Sequence, residues 1–219
     1  MSRQTWKPGN MLYPLPVVLV SVADPDGKTN LITVAWTGTI CSDPAMVSIS
    51  VRKERYSHTL LKKSGEFVIN LTTRDMAKAV DFCGVRSGRD TDKWKETGLT
   101  PVSSEKVKAQ TVGESPAAIE CRVEQCLEMG SHDMFLAKVL AVTVDERFMD
   151  EKGKFCLERS DPIVYSHGEY YSVGDKIGTF GYSVRKKAAP KKAAPKKAAP
   201  KKASSKKKSA GRKVRKDGK

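Results

Sequence analysis

The sequence predicts a mainly β chain, folded into a closed or partly closed β-barrel with a few short helices. Three observations support this prediction. Segments with the alternation of a strand are numerous, only two or three segments have helical spacing, and turns rich in Gly, Pro and Asp separate them. Many short strands joined by such turns are typical of barrels.

The first half of the chain supplies four predicted strands and two predicted helices. The strands are 15–23, 31–36, 46–51 and 66–71. One helix is predicted over 57–63, with Ser57 as its N-cap and Gly65 at its end. A second helix is predicted over 73–83, ending at Gly84.

The second half continues with strands. The polar segment 87–97 is expected to form a loop or a short helix. The predicted strands after it are a long antiparallel pair, 117–129 and 134–144, and a short pair, 163–166 and 169–173. The long pair is joined through a turn at 130–133.

Charge separates the end of the chain from the rest. From residue 185 onward there are 17 Lys or Arg residues and one acid, a net charge of +16, whereas the whole chain carries +15 and residues 1–184 therefore −1. The unit KKAAP occurs three times in succession over 186–200, and its prolines prevent a continuous helix. The sequence therefore predicts a folded domain over 1–184, followed by a disordered Lys/Ala/Pro-rich basic tail over 185–219.

The charge of the basic tail indicates an anionic partner. Lysines neutralise phosphates and release counterions, so non-specific nucleic acid, or another anionic surface, is expected to bind it in a strongly salt-dependent way. The alternative is a flexible extension that only aids solubility. A nucleic-acid-associated protein, with the barrel mainly as a dimerisation platform, is thus an alternative function.

Cysteine usage and hydropathy limit the location of the chain. Its five cysteines form no C-x-x-C pair, so buried free thiols are expected, and their spacing matches no zinc pattern. The apolar run 15–23 is too short to span a bilayer and lacks a basic region immediately before it. We therefore expect a cytoplasmic protein with no membrane insertion and no metal.

The segment 29–71 combines strand-like apolar positions with small hydroxyl residues, one Trp, two arginines and an Asn. Buried polar groups are costly unless they are paired, so this mixture indicates a ligand with a flat apolar part and an anionic end. On a strand over 31–36, Thr33 and Ala35 share one face and let a planar ring approach the main chain, while Trp36 faces the other way.

A second set of polar residues follows in the same segment. Ser50 and Arg52 share one face of the strand 46–51 and its end. Arg55 and Ser57 lie at the predicted start of a helix, where free N–H groups and positive charge converge. This point is therefore a candidate phosphate site.

Several motifs in this order resemble a known family. The order T-x-A-W, S-I-S-V-R, H-T and G-E-F-V-I-N-L resembles the flavin reductase-like, FMN-binding split-barrel family, and within it flavoredoxin-type proteins. The resemblance covers about residues 8–182. It implies a split β-barrel, a homodimer with FMN near the subunit interface, and an FMN-dependent oxidoreductase or electron-transfer flavoprotein. Hydride would pass from a reduced nicotinamide to the flavin, and electrons then to a protein, a free flavin or a small acceptor.

The resemblance also implies site residues. It assigns flavin contacts to Asn30, Trp36, Ser57, Lys93, His132 and Tyr165, and places Thr33, Ala35, Ser50 and Arg52 beside them. Ser57 would meet the phosphate, Tyr165 would lie close to the ring, and His132 is the catalytic candidate. In relatives the turn before the late strand often reads G-D-H, whereas here the acid, Asp133, follows the histidine.

Plainer interpretations stay open for the same residues. Trp36 is also explained as a core aromatic residue, His132 as a turn residue bonded to the main chain, and Lys93 as a solvated lysine. Arg52 and Arg55 are equally explained as a solvated strand end, and Asn70 as a bridge between strands. The sequence contains no G-x-G-x-x-G after a strand and no P-loop, which argues against a Rossmann or phosphoryl-transfer enzyme.

Overall fold

A computed structural model describes residues 1–184, and within them it confirms the predicted mainly β fold with a few short helices. In chain order the strands are β1 Leu15–Pro16, β2 Val18–Ala23, β3 Thr29–Val34, β4 Thr37–Ser42, β5 Ala45–Arg52, β6 Glu66–Leu71, β7 Pro101–Val102, β8 Thr111–Val112, β9 Ala117–Glu128, β10 His132–Val144, β11 Ile163–Ser166 and β12 Glu169–Ser172. The helices are α1 Tyr56–Ser64, α2 Ala77–Val85 and α3 Lys93–Thr97, with 3-10 turns at Arg74–Met76, Glu146–Phe148, Leu157–Ser160 and Tyr182–Val184.

The chain divides into two units. One covers Met1–Asp175 and contains every strand and α-helix named above. The other covers Lys176–Lys219; its described residues, 176–184, include the 3-10 turn Tyr182–Val184. The predicted disordered tail, its boundary at 184 and its nucleic-acid binding concern residues outside the described ones and stay predictions. Within the described residues, no helix has both the length and the apolar character needed to cross a membrane.

A short connection closes the main sheet into a barrel. Its seven strands follow the order β3-β2-β6-β9-β10-β5-β4, with antiparallel neighbours. The first and last strands of this order are separated in the chain by only Ala35 and Trp36. The three steps from Val34 to Thr37 span at most about 11 Å, so the two ends of the sheet must meet at this point. The Ser50 N–H of β5 donates to the Trp36 carbonyl at 2.8 Å, which extends the pairing of β4 with β5 into this connection.

The core has two faces because β2 and β3 are covered on both sides. Val20 of β2 packs inside the barrel with Phe67 and Phe135, all at most 1% exposed. Leu19, its neighbour on the opposite face, packs with Val80 of α2. A strand that is buried on both faces reads as a continuous apolar run, which explains the sequence of β2.

Helix α1 occupies one end of the barrel. Leu60 and Leu61 are buried in the barrel core, and their packing fixes where the helix begins. The helix ends at Gly65, as predicted, in the left-handed conformation, with its N–H donating to the Leu61 carbonyl at 2.9 Å. The prediction of Ser57 as the N-cap is wrong, because Arg55 holds that position and Ser57 lies inside the first turn.

Other corrections concern strand β4 and helix α2. Strand β4 was not predicted, because none of its residues is fully buried and its pattern is not apolar. The predicted strand 15–23 is divided between β1 and β2, and the predicted strand 31–36 stops at Val34. Helix α2 does not end at Gly84; this glycine lies within the helix, where a Cβ would be 3.4 Å from the Thr33 Cβ. It therefore allows α2 to approach β3 closely.

Asn70 is a bridge between strands, and its loss is expected to destabilise the fold. Its Nδ2 donates to the Leu19 carbonyl at 3.1 Å, and its Oδ1 accepts from the Val112 N–H at 2.8 Å. Asn70→Ala leaves these buried groups unpaired and should lower the free energy of unfolding by about 2 kcal/mol. Urea denaturation of both proteins measures this difference. A loss below about 0.5 kcal/mol, the usual range for a surface change, would contradict the assignment.

Candidate functional site

Two adjoining cavities lie where β3, β5 and the start of α1 meet. The aromatic cavity, of about 420 Å³, is lined by Asn10, Ile32, Thr33, Val34, Ala35, Trp36, Ser50, Val51, Arg52, Arg55, Ser131, His132 and Tyr165. The cationic cavity, of about 220 Å³, is lined by Asn30, Ile32, Glu54, Arg55, Tyr56, Ser57, Cys83, Arg86, Ser87, Gly88, Arg89 and Lys93. Ile32 and Arg55 line both, so the two cavities are neighbours on either side of these residues.

Three rings give the aromatic cavity its shape. The rings of Trp36 and His132 are nearly parallel, 13° apart, with centroids separated by 6.1 Å. The Tyr165 ring lies 6.3 Å from that of Trp36 at an angle of 50°. Trp36 is 38% exposed, so it is not the core aromatic residue of the plainer interpretation. Flat apolar surfaces of this kind suit a planar ring.

The two-residue connection between β3 and β4 places Trp36 at this cavity. The predicted alternation put Thr33 and Ala35 on one face of a strand 31–36 and Trp36 on the other; the strand stops at Val34, and Ala35 and Trp36 belong to the connection that follows it. Residues 32–36 all line the cavity as a result. The Thr33 hydroxyl donates to the Val80 carbonyl of α2, so Thr33 offers the cavity mainly its main chain.

His132 lies opposite Arg52 in the pairing of β10 with β5. Its Nδ1 lies 2.8 Å from the Ser131 hydroxyl, so its bond is to a neighbouring side chain rather than to the main chain. Partial burial, and then the charge of Arg52, lower the pKa of His132 and favour the neutral imidazole, while Glu54 opposes this effect. A neutral imidazole can both donate and accept a hydrogen bond within the cavity.

The cationic cavity carries an excess of positive charge. Arg55, Arg86, Arg89 and Lys93 line it, and the one acid in its lining, Glu54, is 3.1 Å from Arg52. None of these four cations forms an ion pair with an acid of residues 1–184. No side chain of the described residues caps the start of α1. Main-chain N–H groups of its first turn are therefore available to bind an anion.

A buried hydrogen bond between Asn30 and Ser57 leaves the Ser57 hydroxyl proton available to donate. The Asn30 Nδ2 donates to the Ser57 Oγ at 2.8 Å, and both side chains are buried. Because the oxygen accepts this bond, the hydroxyl proton remains for a ligand. Gly88 lies against the same pair, since a Cβ at this position would be 2.1 Å from the Asn30 Oδ1. The loop that carries Arg86 and Arg89 therefore reaches the pair only with glycine at 88.

Lys93 is buried, 3% exposed, and the interpretation as a solvated lysine is wrong. Its Nζ donates to the carbonyls of Leu31 at 2.7 Å and Cys83 at 2.8 Å, which leaves one N–H for a ligand. Burial lowers its pKa to about 8; a Cys83 thiolate would raise this pKa and the charge of Arg55 lowers it. A bound anion would compensate for this unfavourable burial of charge.

The structure brings all ten sequence-predicted residues into these two cavities. Seven line the aromatic cavity, namely Thr33, Ala35, Trp36, Ser50, Arg52, His132 and Tyr165, and three line the cationic cavity, namely Asn30, Ser57 and Lys93. Sequence reasoning missed Asn10, Arg86, Gly88 and Arg89. The arginine pair around a glycine, R-S-G-R directly after a helix, was the available signal for the last three.

Comparisons with known proteins agree with this arrangement. The sequence model of the flavin reductase like domain matches residues 10–174. An uncharacterised protein of Pyrococcus abyssi is 35% identical over 167 residues, which are 76% of this chain and 95% of the relative. The flavoredoxin of Desulfovibrio vulgaris (Miyazaki F) superposes with a TM-score of 0.78 at 31% identity, covering 84% of this chain and 100% of that one. The flavoredoxin of Methanosarcina acetivorans gives 0.77 at 26% identity, with coverage of 84% and 100%.

Fold, cavities and comparisons together define a flavin-binding oxidoreductase of the split-barrel type. The chain belongs to the flavin reductase-like family.

The buried Lys93 predicts a dependence of stability on pH. Its pKa is about 8 in the fold against 10.5 ordinarily, so between these values the unfolded chain binds more protons and stability rises with pH. Relative to Lys93→Met, the wild-type protein should gain up to roughly 3 kcal/mol of unfolding free energy across this window. Urea denaturation from pH 7 to pH 11 measures the difference.

The comparison with the variant is needed because other groups titrate in the same range. Burial raises the pKa of Cys83 to about 11 from 9.0, and this lowers stability as pH rises through that range. Because the charge of Lys93 lowers the pKa of Cys83, both proteins are compared in a Cys83→Ala background, which removes this second titration. Lys95→Met, at an exposed lysine of the same helix, is the matched control. If the difference in unfolding free energy between the wild-type protein and Lys93→Met did not change with pH, Lys93 would not be buried as described.

Proposed function

We propose that this chain binds FMN across the two cavities and acts as an FMN-dependent oxidoreductase. A reduced nicotinamide is the proposed electron donor, and a protein, a free flavin or a small molecule is the acceptor. The observation that supports this proposal most directly is the position of an aromatic cavity beside a cationic one, with Ile32 and Arg55 in the lining of both. FMN has the same two parts, a flat ring system and a phosphate.

The residues of the cationic cavity suit a phosphate monoester. Ser57 offers a free hydroxyl proton, Lys93 a third N–H, and the start of α1 its main-chain N–H groups. Ser57 is 0% exposed and Lys93 3%, so an anion that reaches both has entered the back of the cavity. A terminal phosphate can end there, whereas FAD would have to continue with its second phosphate and adenosine. This supports FMN over FAD.

The residues of the aromatic cavity would orient the reacting ring and its partner. When bound, FMN supplies the two-electron redox chemistry that the side chains lack. Trp36 and Tyr165 would hold the ring system between apolar surfaces. Arg52 would stabilise negative charge that develops nearby, and the neutral His132 would hydrogen-bond the incoming nicotinamide.

We also propose that a second copy of the chain covers the aromatic cavity. Strand β4 is last in the sheet order, and its Ile40 is 45% exposed. Trp36, Met11 and Leu12 expose apolar surface beside it, with Leu12 83% exposed. A continuous apolar patch of this kind is typical of an interface. The proposed homodimer would bury it.

An absorbance spectrum tests the cofactor and the donor together. The purified protein should be yellow, and the flavin released on denaturation should be FMN when compared chromatographically with FMN and FAD. Without oxygen, NADH or NADPH should bleach the flavin absorbance. Colourless protein that does not take up added FMN would overturn the proposal, and release of FAD would overturn the choice of FMN. A flavin spectrum that neither dinucleotide changes would remove nicotinamide as the donor.

Two substitutions test the contributions of the two cavities separately. The affinity of each variant for FMN is compared with its affinity for riboflavin, which lacks the phosphate. Ser57→Ala should weaken FMN about tenfold and leave riboflavin unchanged, because only the phosphate meets the hydroxyl. Trp36→Ala should weaken both ligands by a similar factor. Fluorescence titration of the flavin-free protein gives the dissociation constants. Ser104→Ala, whose hydroxyl donates to the Ala109 carbonyl at 2.6 Å, is the control. Equal losses of both ligands in Ser57→Ala would contradict the phosphate assignment.

A further inference from the structure

A buried carboxylate lies on the strand that carries His132. The next residue, Asp133, is 2% exposed, and its Oδ2 lies 2.8 Å from the His58 Nε2. Lys53 Nζ lies 3.3 Å from the other oxygen, Oδ1. The His58 ring packs edge-on against Phe135, with centroids 5.6 Å apart. None of His58, Asp133 and Lys53 lines either cavity.

Asp133 joins three parts of the barrel. It belongs to β10, His58 to the first turn of α1, and Lys53 to the turn between β5 and α1. The main-chain N–H of His58 donates to the Arg55 carbonyl at 3.0 Å at the start of the helix. His58 also directly follows Ser57. The contacts of Asp133 therefore hold both ends of the segment 53–58, whose other residues line the cationic cavity.

The charge of Asp133 requires these partners, because the side chain is buried. A buried carboxylate is costly unless it is paired, and here burial, which raises the pKa of Asp133, is outweighed by His58 and Lys53, which lower it. Phe67 and Ile49 show that the barrel interior is otherwise filled with apolar side chains. An apolar residue at 133 could pack there, but it could not fix the direction of the first turn of α1.

We propose that Asp133 and His58 are positioning residues for the phosphate end of the flavin. The pair holds the first turn of α1 so that the Ser57 hydroxyl and the main-chain N–H groups converge on one point. Alternation along β10 then gives its first two residues separate tasks, because His132 faces the aromatic cavity and Asp133 faces α1. This inference rests on the proposed binding of FMN.

The test compares the affinities of the flavin-free protein for FMN and riboflavin. His58→Leu and Asp133→Asn should lower the preference for FMN about tenfold, while the riboflavin dissociation constant stays within about twofold. His58→Gln should restore most of the preference, because its amide can donate to Asp133. Lys53→Gln, at a half-exposed side chain, should keep the fold intact and cause a smaller loss. A residue that only stabilised the fold would weaken both ligands equally.

The control is Arg122→Gln, which breaks an ion pair of 3.0 Å with Glu66 on strands whose residues line neither cavity. It should leave the preference unchanged. Folded His58→Leu, Asp133→Asn and Lys53→Gln proteins that keep the wild-type preference would overturn the positioning role but leave FMN binding intact. Wild-type protein with no preference for FMN would instead overturn the proposed phosphate site, and the positioning role with it.

Discussion

The rest of the structure depends on the two-residue connection between β3 and β4. Because these strands stand at opposite ends of the sheet order, the connection forces the sheet to close and carries Trp36 across the junction. The hydrogen bond from Ser50 to the Trp36 carbonyl holds the main chain of Trp36 beside β5. The aromatic cavity is thus a consequence of barrel closure, built from positions that no regular strand could bring together.

The two cavities differ in how they accommodate polarity. In the aromatic cavity, Arg52 and Arg55 line the same space as the rings of Trp36, His132 and Tyr165. Main-chain groups supply part of the remaining polar surface. In the cationic cavity, buried Lys93 and Ser57 have most of their hydrogen bonds satisfied by the protein and keep one donor each. Such partly satisfied donors are held in place before a ligand arrives, so little reorganisation is needed when an anion binds.

Sequence patterns predicted several strands whose residues alternate and one of the two helix ends assigned to a glycine, while Gly84 lies within α2. Strands β5 and β6 and the end of α1 belong to this group, because local chemistry decides them. Strand β4 and the position of Trp36 could not be predicted in this way, since barrel closure decides both. All ten predicted site residues lie together because the motif order carried that information. Arg86 and Arg89 were missed because a charged loop looks the same whether it is solvated or lines a cavity.

The close approach of Gly88 to Asn30 has a consequence for how long a cofactor stays bound. The loop with Arg86 and Arg89 reaches the phosphate end only because no side chain separates it from the Asn30–Ser57 pair. Neither the barrel nor the aromatic rings depend on that loop. If FMN binds as proposed, its residence time would depend on this loop and its reactivity on the rings of the other cavity. A lineage could convert a permanently held prosthetic group into an exchangeable substrate by changes at this loop, without altering the ring environment.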